Sequence, residues 1–358
     1  MLPQSCLGFV LGMCCLLLPE LAWSSWDMSK VPMQEITKIM RQKGFFIDGS
    51  MDVAAYLGEA KTLADLQAFL RELDPYCSYT TQSELAWIKD LNQDKTLGIG
   101  MEIFRDRQER VRCVPYPNSV AEEYGVRYGD ELQIVNDLEV WTMDVPSLAS
   151  HICGPRASSV VLKVQSEGAA PRWVTLPCTK LAPSKTVYCD VRKKRATIRI
   201  FRFGPNTPKE LSACLHDLHG IQDVVIDLSG NTGGNLAAAL ECLQFFLPKG
   251  SIILREETKA GVQTRHARQD GRWLNLHLSL WQDRYTASAA ELFIVNLHAA
   301  RNIPVYGERT AGKACVQEIF KLSDGSILKL TIAKLLYPKS NGDWEQRGLD
   351  PTSSSYSR

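Results

Sequence analysis

Three short motifs in the second half of the chain carry residue types that could do chemistry. Residues 227–234 read DLSGNTGG, and a glycine pair before a helix lets backbone N–H groups hold a developing negative charge. Residues 286–291 read TASAAE, which places Ser288 among small neighbours at the start of an apolar helix. Residues 307–313 end in Lys313, which follows a glycine turn and precedes a β-rich segment. The motifs thus offer anion-binding N–H groups, a hydroxyl group and an amine.

Each motif taken alone also has a purely structural explanation. Two glycines before a helix are a common tight turn, and Ser288 with Glu291 three residues later forms a fair capping box. A lysine in a turn is usually a surface residue. The third motif is not a phosphate-binding loop, because Ala314 follows Lys313 where such loops have serine or threonine. Only the combination of the three favours a catalytic function.

Length and composition indicate an ordinary globular protein. The chain has 358 residues, of which 45% are hydrophobic and 23% are charged, which predicts two or three domains and excludes collagen-like or disordered chains. It has 41 Lys and Arg against 40 Asp and Glu, a balance that argues against nucleic acid as the main partner. The basic block at residues 192–195 is interpreted as a solvated strand edge or turn.

The hydrophobic periodicity changes twice along the chain. Residues 30–92 have helical patterning, with one apolar stripe over residues 63–73 that ends before Pro75. Short β-like runs separated by turn signals follow over residues 97–166. After a linker at residues 182–184, apolar strands alternate with helices, which indicates an α/β core. The three motifs lie in this last part.

Taken together, the motifs resemble those of the C-terminal processing peptidases, or tail-specific proteases, which form serine peptidase family S41 and use a Ser–Lys pair. That family has an Asp-Leu-Arg-x-Asn-x-Gly-Gly turn, a Thr/Ser-Ala-Ser-Ala-Ser-Glu block and a Gly-Lys-x-x-x-Gln block. Its lysine follows its serine by 25 residues, as Lys313 follows Ser288, and its glutamine follows four residues later, as Gln317 does here. Smaller matches, which include Leu73-Asp74-Pro75-Tyr76, extend the resemblance from about residue 70 to the C-terminus.

The resemblance implies an α/β (α+β) fold with a crotonase/ClpP-like protease core, an inserted PDZ domain and a helical N-terminal segment. The predicted domains are a signal peptide at 1–24, the helical segment at 25–95, the PDZ domain at 96–180 and the Ser–Lys peptidase core at 181–358.

The resemblance also assigns roles to individual residues. Ser288 would attack the scissile carbonyl, Lys313 would accept its proton, and Gln317 would hold the lysine amine in line. Burial disfavours an ammonium ion, so we expect the lysine in a water-poor site where it can act as the base. The backbone N–H groups of Gly233 and Ala289 are the candidate donors of the oxyanion hole. No cofactor and no metal is expected.

The PDZ-like block predicts how the substrate is recognised. PDZ domains add a peptide end to a sheet edge and hold its terminal carboxylate with backbone N–H groups. The carboxylate-binding loop would be Leu97, Gly98, Ile99 and Gly100. The expected partners are therefore proteins or peptides with free C-termini, and the sequence leaves room for a membrane-associated adaptor while giving no oligomeric state.

Four positions depart from the family pattern. Ser229 stands where the family usually has arginine, and Ala290 replaces the second serine of the nucleophile block. Ala314 replaces the glycine usual after the lysine, and Cys315 places a thiol two residues from Lys313, where its oxidation could disturb the site.

The N-terminus and the cysteines favour export. Residues 6–18 are an apolar run of the length found in signal peptides and shorter than the roughly 20 residues of a membrane-spanning helix. Small residues precede a cut after Ser24, although no Lys or Arg lies before the run, and a buried or membrane-adherent helix is the alternative. Eight cysteines would remain, which permits disulfides. A periplasm, or alternatively a chloroplast lumen, is the expected location.

Two further functions stay open at this point. The first is a PDZ-bearing adaptor whose protease core is catalytically silent. The second is a ligand-binding protein on the same core, as in the retinoid-binding proteins of the eye. A metal site is not favoured, since the pair His216 and His219 lacks further ligands in a recognisable spacing and is interpreted as a helix end.

Overall fold

The computed structural model describes residues 28–83, 85, 97–143, 145–153, 157–180 and 185–353. The predicted signal peptide and the linker at 182–184 lie outside the described residues. The α-helices are α1 (Met33–Lys43), α2 (Val53–Gly58), α3 (Leu63–Leu73), α4 (Val120–Glu123), α5 (Val145–Ile152), α6 (Thr207–His216), α7 (Leu236–Gln244) and α8 (Ala289–Arg301). None of the helices in these ranges is long and apolar enough to cross a membrane.

The strands form a mixed α/β protein together with these helices. In chain order they are β1 (Ser78–Thr80), β2 (Leu97–Gly98), β3 (Met101–Arg105), β4 (Val111–Pro115), β5 (Glu131–Val135), β6 (Leu138–Glu139), β7 (Ser159–Gln165), β8 (Arg172–Pro177), β9 (Thr179–Lys180), β10 (Val187–Arg192), β11 (Arg195–Ile200), β12 (Asp223–Asp227), β13 (Ile252–Thr258), β14 (Gly261–His266), β15 (His277–Gln282), β16 (Val305–Gly307), β17 (Cys315–Lys321) and β18 (Ile327–Leu335).

The N-terminal helices pack on a sheet built mainly from the C-terminal end. Helix α3 starts at a capping box of Thr62 and Asp65 and buries Leu66 and Leu70, as the apolar stripe predicts. The expectation of helix throughout residues 30–92 is wrong at 78–80, which form β1 and pair antiparallel with β18. Pairing with a long strand outweighs the local pattern there.

Residues 97–180 have a sheet and a hydrophobic core of their own. The sheet is antiparallel in the order β3-β4-β5-β7-β8, with β6 paired to β5. Strands β2 and β9 pair with each other where the chain enters and leaves this unit. A disulfide joins Cys153, after α5, to Cys178, between β8 and β9. Strand β3 is an edge strand of the sheet, beside α5.

The second half contains a sheet in the order β10-β11-β12-β15-β16, in which only β10 is antiparallel to its neighbour. Helices α6, α7 and α8 cover it, and the central strand β12 buries three consecutive apolar residues, as strands covered on both faces do. A second sheet, β1-β18-β13-β14 with β17 on β18, lies beside it. The motifs predicted to do chemistry follow β12, precede α8 and precede β17.

Candidate active site

Ser288 lies in a strained turn directly before α8. Its φ of 55° and ψ of −119° put a residue with a side chain in a region that favours glycine, at a cost of about 1–3 kcal/mol. The preceding turn is held by Asp283, whose Oδ1 accepts hydrogen bonds from the N–H groups of Gly230, Tyr285 and Thr286, each at 3.0 Å. Strain of this kind concentrates at functional sites, which makes Ser288 a candidate for a role beyond capping the helix.

Glu291 joins the serine turn to the lysine turn. Its fully buried Oε2 accepts from the backbone N–H of Ser288 and from that of Lys313, both at 2.8 Å. Its Oε1 accepts from the N–H of Gly312 at 2.7 Å and from the hydroxyl of Thr310. Because two amides bind one oxygen atom, the turns that carry Ser288 and Lys313 are immediate neighbours.

The four donors also bear on the charge of Glu291. Burial raises the pKa of its carboxyl above the ordinary value, and the hydrogen bonds from Thr310, Lys313, Gly312 and Ser288 oppose that rise. Every partner donates, which suits a carboxylate that only accepts. The sequence pattern indicated only a capping role for Glu291, and it gave no sign of the contacts with residues 310–313.

Lys313 is half-buried and held by two partners. Its Nζ donates to Oε1 of Gln317 at 2.9 Å and lies 4.8 Å from the centroid of the Tyr76 ring. The side-chain Nε2 of Gln317 donates to the backbone oxygen of Tyr76 at 2.7 Å, which turns Oε1 towards the lysine. A register shift between Val316 and Gln317 gives β17 a bulge at this point, a device that re-aims side chains.

Tyr76 brings the N-terminal segment into the site. Its hydroxyl donates to Oε1 of Glu345, and Oε2 of Glu345 accepts from the N–H of Ala314 at 2.6 Å. Burial, followed by the hydrogen bond to Glu345, raises the pKa of the Tyr76 hydroxyl, so it stays protonated. Sequence reasoning missed both residues; the only signal was the Leu-Asp-Pro-Tyr match at residues 73–76.

The glycine turn abuts the serine, but its predicted N–H donor is engaged. A Cβ on Gly233, whose φ is +103°, would lie 2.9 Å from the Ser288 Cβ, so only glycine fits. The N–H of Gly233 donates to Oδ1 of Asn231 at 2.8 Å. In this conformation the N–H of Gly233, a candidate donor of the oxyanion hole, is therefore engaged by a side chain. Within the described ranges, no protein atom accepts from the N–H of Ala289.

The structure places Ser288, Lys313 and Gln317 in one site. The Ser288 hydroxyl and the Lys313 amine are not hydrogen-bonded to each other, and the amine donates to Gln317 instead. Catalytic hydrogen bonds are often long in a site without substrate and shorten when one binds.

The structure shows what surrounds two of the positions that depart from the family pattern. The Arg199 guanidinium, on β11, donates to the backbone oxygen of Ser229 at 3.5 Å and lies 4.3 Å from the Phe201 ring. A positive charge is therefore present next to position 229. Cys315 is buried, and burial raises the pKa of its thiol to about 12. It is therefore a protonated packing residue rather than a nucleophile.

The unit at 97–180 touches both turns of the site. Arg107, in the loop after β3, donates to the backbone oxygens of Thr310, at 3.0 Å, and Ala311. The hydroxyl of Tyr128 donates to Asp283, and the Tyr128 ring lies where a Cβ on Gly230 would be.

The loop predicted to bind a carboxylate leads into the edge strand β3. Leu97 and Gly98 pair with β9, whereas Ile99 and Gly100 form the turn before Met101. Gly100 has a φ of +72°, and its Cβ position would lie 2.6 Å from that of Ser119. Among the described residues, no acceptor contacts the N–H groups of Ile99 and Gly100.

Known proteins that are similar to this chain include several named proteases. The model of peptidase family S41 matches residues 194–355. The carboxy-terminal processing proteases CtpA and CtpB of Bacillus subtilis are 29% and 28% identical over 282 and 295 residues, which are 78% and 80% of this chain. The chain spans 60% and 61% of the length of these two relatives. A Synechocystis carboxyl-terminal-processing protease is 26% identical over 301 residues, 81% of this chain and 70% of the relative.

A solved structure shares the fold over nearly the whole chain. The photosystem II D1 C-terminal processing protease superposes with a TM-score of 0.78 at 21% identity, covering 92% of this chain and 94% of its own. A putative S41 protease from Bacteroides fragilis gives 0.53 at 18% identity, covering 90% of each chain.

Proposed function

We propose that the chain belongs to peptidase family S41, whose model matches residues 194–355, and that it is a serine endopeptidase that cuts proteins near their C-termini with a Ser–Lys pair. The observation that carries this proposal is the shared carboxylate of Glu291. It holds the amides of Ser288 and Lys313 on one oxygen atom, although 25 residues separate them in the chain. A binding protein has no need of a strained serine beside a lysine that is oriented by Gln317.

In the proposed mechanism the serine forms an ester with the substrate. The Ser288 Oγ attacks the scissile carbonyl carbon while the neutral amine of Lys313 takes the hydroxyl proton. The N–H of Ala289 donates to the oxygen that becomes negative. The tetrahedral intermediate collapses, the C–N bond breaks, and Lys313 returns the proton to the leaving amine. Water then attacks the ester by the same proton path, which releases the acid and restores the serine.

Gln317 and Tyr76 would set the direction of the lysine amine. The amide oxygen of Gln317 and the ring of Tyr76 fix Nζ from two sides, and Nζ would turn towards Ser288 when a peptide binds. A bound peptide would also exclude water from the half-buried lysine.

We propose further that residues 97–180 act as a PDZ domain for free C-termini. The edge strand β3 can take a peptide as an additional strand, and the N–H groups of Ile99 and Gly100 can receive its carboxylate. The contacts of Arg107 and Tyr128 with the loops of the site support a joint role for the two units.

Export is proposed from the apolar run at residues 6–18 and the disulfide between Cys153 and Cys178.

Peptide cleavage tests the proposal directly. The wild-type protein is incubated with an unstructured peptide of about 25 residues ending in apolar residues, and the products are identified by mass spectrometry. The Ser288→Ala variant, purified in the same way, controls for contaminating proteases. Cleavage by the wild type alone supports the peptidase. No cleavage by either protein contradicts it and favours the adaptor or the ligand-binding protein.

Blocking the substrate's C-terminus should slow cleavage. The carboxylate would lose its N–H partners if it were replaced by a carboxamide, so we expect kcat/KM to fall about tenfold, mainly through KM. The measurement compares the free-acid and amidated forms of one peptide, with N-terminal acetylation as the matched control. Equal rates for the acid and the amide would show that the PDZ-like unit does not select substrates by their C-terminal carboxylate. The peptidase proposal would still stand.

A further inference from the structure

Two of the thiols outside the active site face each other across the edge of the core sheet. Six described cysteines are not in a disulfide: Cys77, Cys113, Cys189, Cys214, Cys242 and Cys315. Cys189 lies in the edge strand β10 and is exposed, whereas Cys214 lies in α6 and is largely buried. The two side chains lie close enough for each thiol to shift the pKa of the other. No other pair among these six makes such a contact in the described part of the chain.

The backbone explains why these two positions meet. Glu210 of α6 accepts from the N–H groups of Thr186, at 2.7 Å, and Val187, at 3.0 Å, which fixes the helix against the start of β10. Cys189 lies two residues beyond Val187, so its side chain points to the same face about 7 Å further along the strand. Cys214 lies four residues beyond Glu210, on the same helix face and about 6 Å further along the axis. The distances along the strand and along the helix are nearly equal, so Cys189 and Cys214 lie side by side.

The surroundings distinguish the two thiols. Burial raises the pKa of both, to about 11 for Cys214. At Cys189 the neighbouring Cys214 thiol and the ammonium of Lys185 oppose that rise, while Asp190 and Asp217 add to it. The sulfur of Cys189 is exposed, so it is the one that a reagent in solution can reach.

We propose that Cys189 and Cys214 are a redox-active pair that closes to a second disulfide when the protein meets an oxidising thiol–disulfide couple such as glutathione. The Cys189 thiolate attacks one sulfur of glutathione disulfide, which forms a mixed disulfide and releases one glutathione. The Cys214 thiolate then attacks the Cys189 sulfur and releases the second glutathione, whose thiolate takes up a proton as the first did. Two protein thiols are oxidised and one glutathione disulfide is reduced.

The bond would link β10, the edge strand that follows residues 181–184, covalently to helix α6. It would close a loop between positions 25 residues apart, a constraint that stabilises chiefly by limiting the unfolded chain. The inference does not depend on the proposed peptidase activity, because both the contact and its test concern residues outside the active site.

Peptide mapping without reduction tests the pair. The protein is equilibrated with oxidised and reduced glutathione at several ratios, alkylated and digested with trypsin. We expect the peptide of residues 186–192, which contains Cys189, to be linked to the peptide of residues 210–249, with fragment ions assigning the bond to Cys214 rather than Cys242. Recovery of peptide 186–192 only in its alkylated or glutathione-bound form at every ratio would overturn the proposal.

Matched variants separate this bond from other thiol chemistry. In Cys214→Ser we expect the glutathione adduct at Cys189 to accumulate, because the resolving thiol is gone, whereas Cys242→Ser should form the link as the wild type does. The oxidised wild type should melt about 5 °C above oxidised Cys214→Ser, and the difference should vanish after reduction. A link that persists in Cys214→Ser, or equal melting temperatures, would contradict the proposed bond.

Discussion

Replacing Lys313 by methionine is expected to lower kcat/KM for peptide cleavage at least about 1,000-fold, to the level of Ser288→Ala. Methionine keeps an unbranched side chain against the Tyr76 ring and removes the amine that we propose accepts the serine proton. The hydrogen bond to Gln317 is also lost, while the bond from the Lys313 backbone to Glu291 is kept. The measurement is the initial rate of peptide cleavage at saturating and limiting substrate.

Two controls make this first prediction specific. Lys339→Met changes an exposed lysine of the same chain and should retain the wild-type rate. The double variant Ser288→Ala, Lys313→Met should be no slower than either single variant, because residues that act as one unit are not additive. A rate within tenfold of the wild type for Lys313→Met would contradict a shared proton path. A loss of rate in the double variant equal to the product of the two single-variant losses would contradict it as well.

The second large effect is expected for Glu291→Gln. The carboxylate accepts four hydrogen bonds, and an amide NH₂ in place of either oxygen would face at least one backbone N–H that then has no acceptor. Each buried donor without a partner costs about 1–3 kcal/mol. We expect kcat to fall about 100-fold with little change in KM, since Glu291 positions the two turns and does not touch the substrate, and the melting temperature to fall about 5 °C.

Glu318→Gln is the matched control for this second prediction. It makes the same chemical change at an exposed position of β17 and should leave both the rate and the melting temperature unchanged. If Glu291→Gln melted lower but cleaved peptides at the wild-type kcat, the carboxylate would be a structural support only. The split between kcat and KM therefore distinguishes a positioning residue from one that merely stabilises the fold.

The sequence was most informative where one segment carries its own signal. The α3 stripe, the antiparallel runs of residues 97–166 and the buried strand β12 follow from local periodicity. The identities and spacing of Ser288 and Lys313 follow from contiguous motifs. These features depend on neighbours in the chain, which are visible in the sequence.

The sequence was least informative where distant segments meet. Tyr76 contacts Gln317 across 241 residues, and nothing in either local pattern predicts that contact. The strand at residues 78–80 exists because β18 pairs with it, and the N–H of Gly233 is taken by a side chain two residues away whose rotamer no motif specifies. The four-way acceptor role of Glu291 also depends on a turn that comes 19 to 22 residues later. Tertiary contacts of this kind decide the details of the site.

Identifying the residue that carries the acyl group tests the central claim most directly. The protein is mixed with an activated peptide ester, quenched in acid within seconds and digested, and the tryptic peptides of residues 285–301 and 314–321 are sequenced by mass spectrometry. We predict that the acyl group is on Ser288 in the wild type and is absent in Lys313→Met treated in the same way. An acyl group on Thr286 or Cys315, or acylation of Ser288 at the wild-type rate without the lysine, would contradict the account.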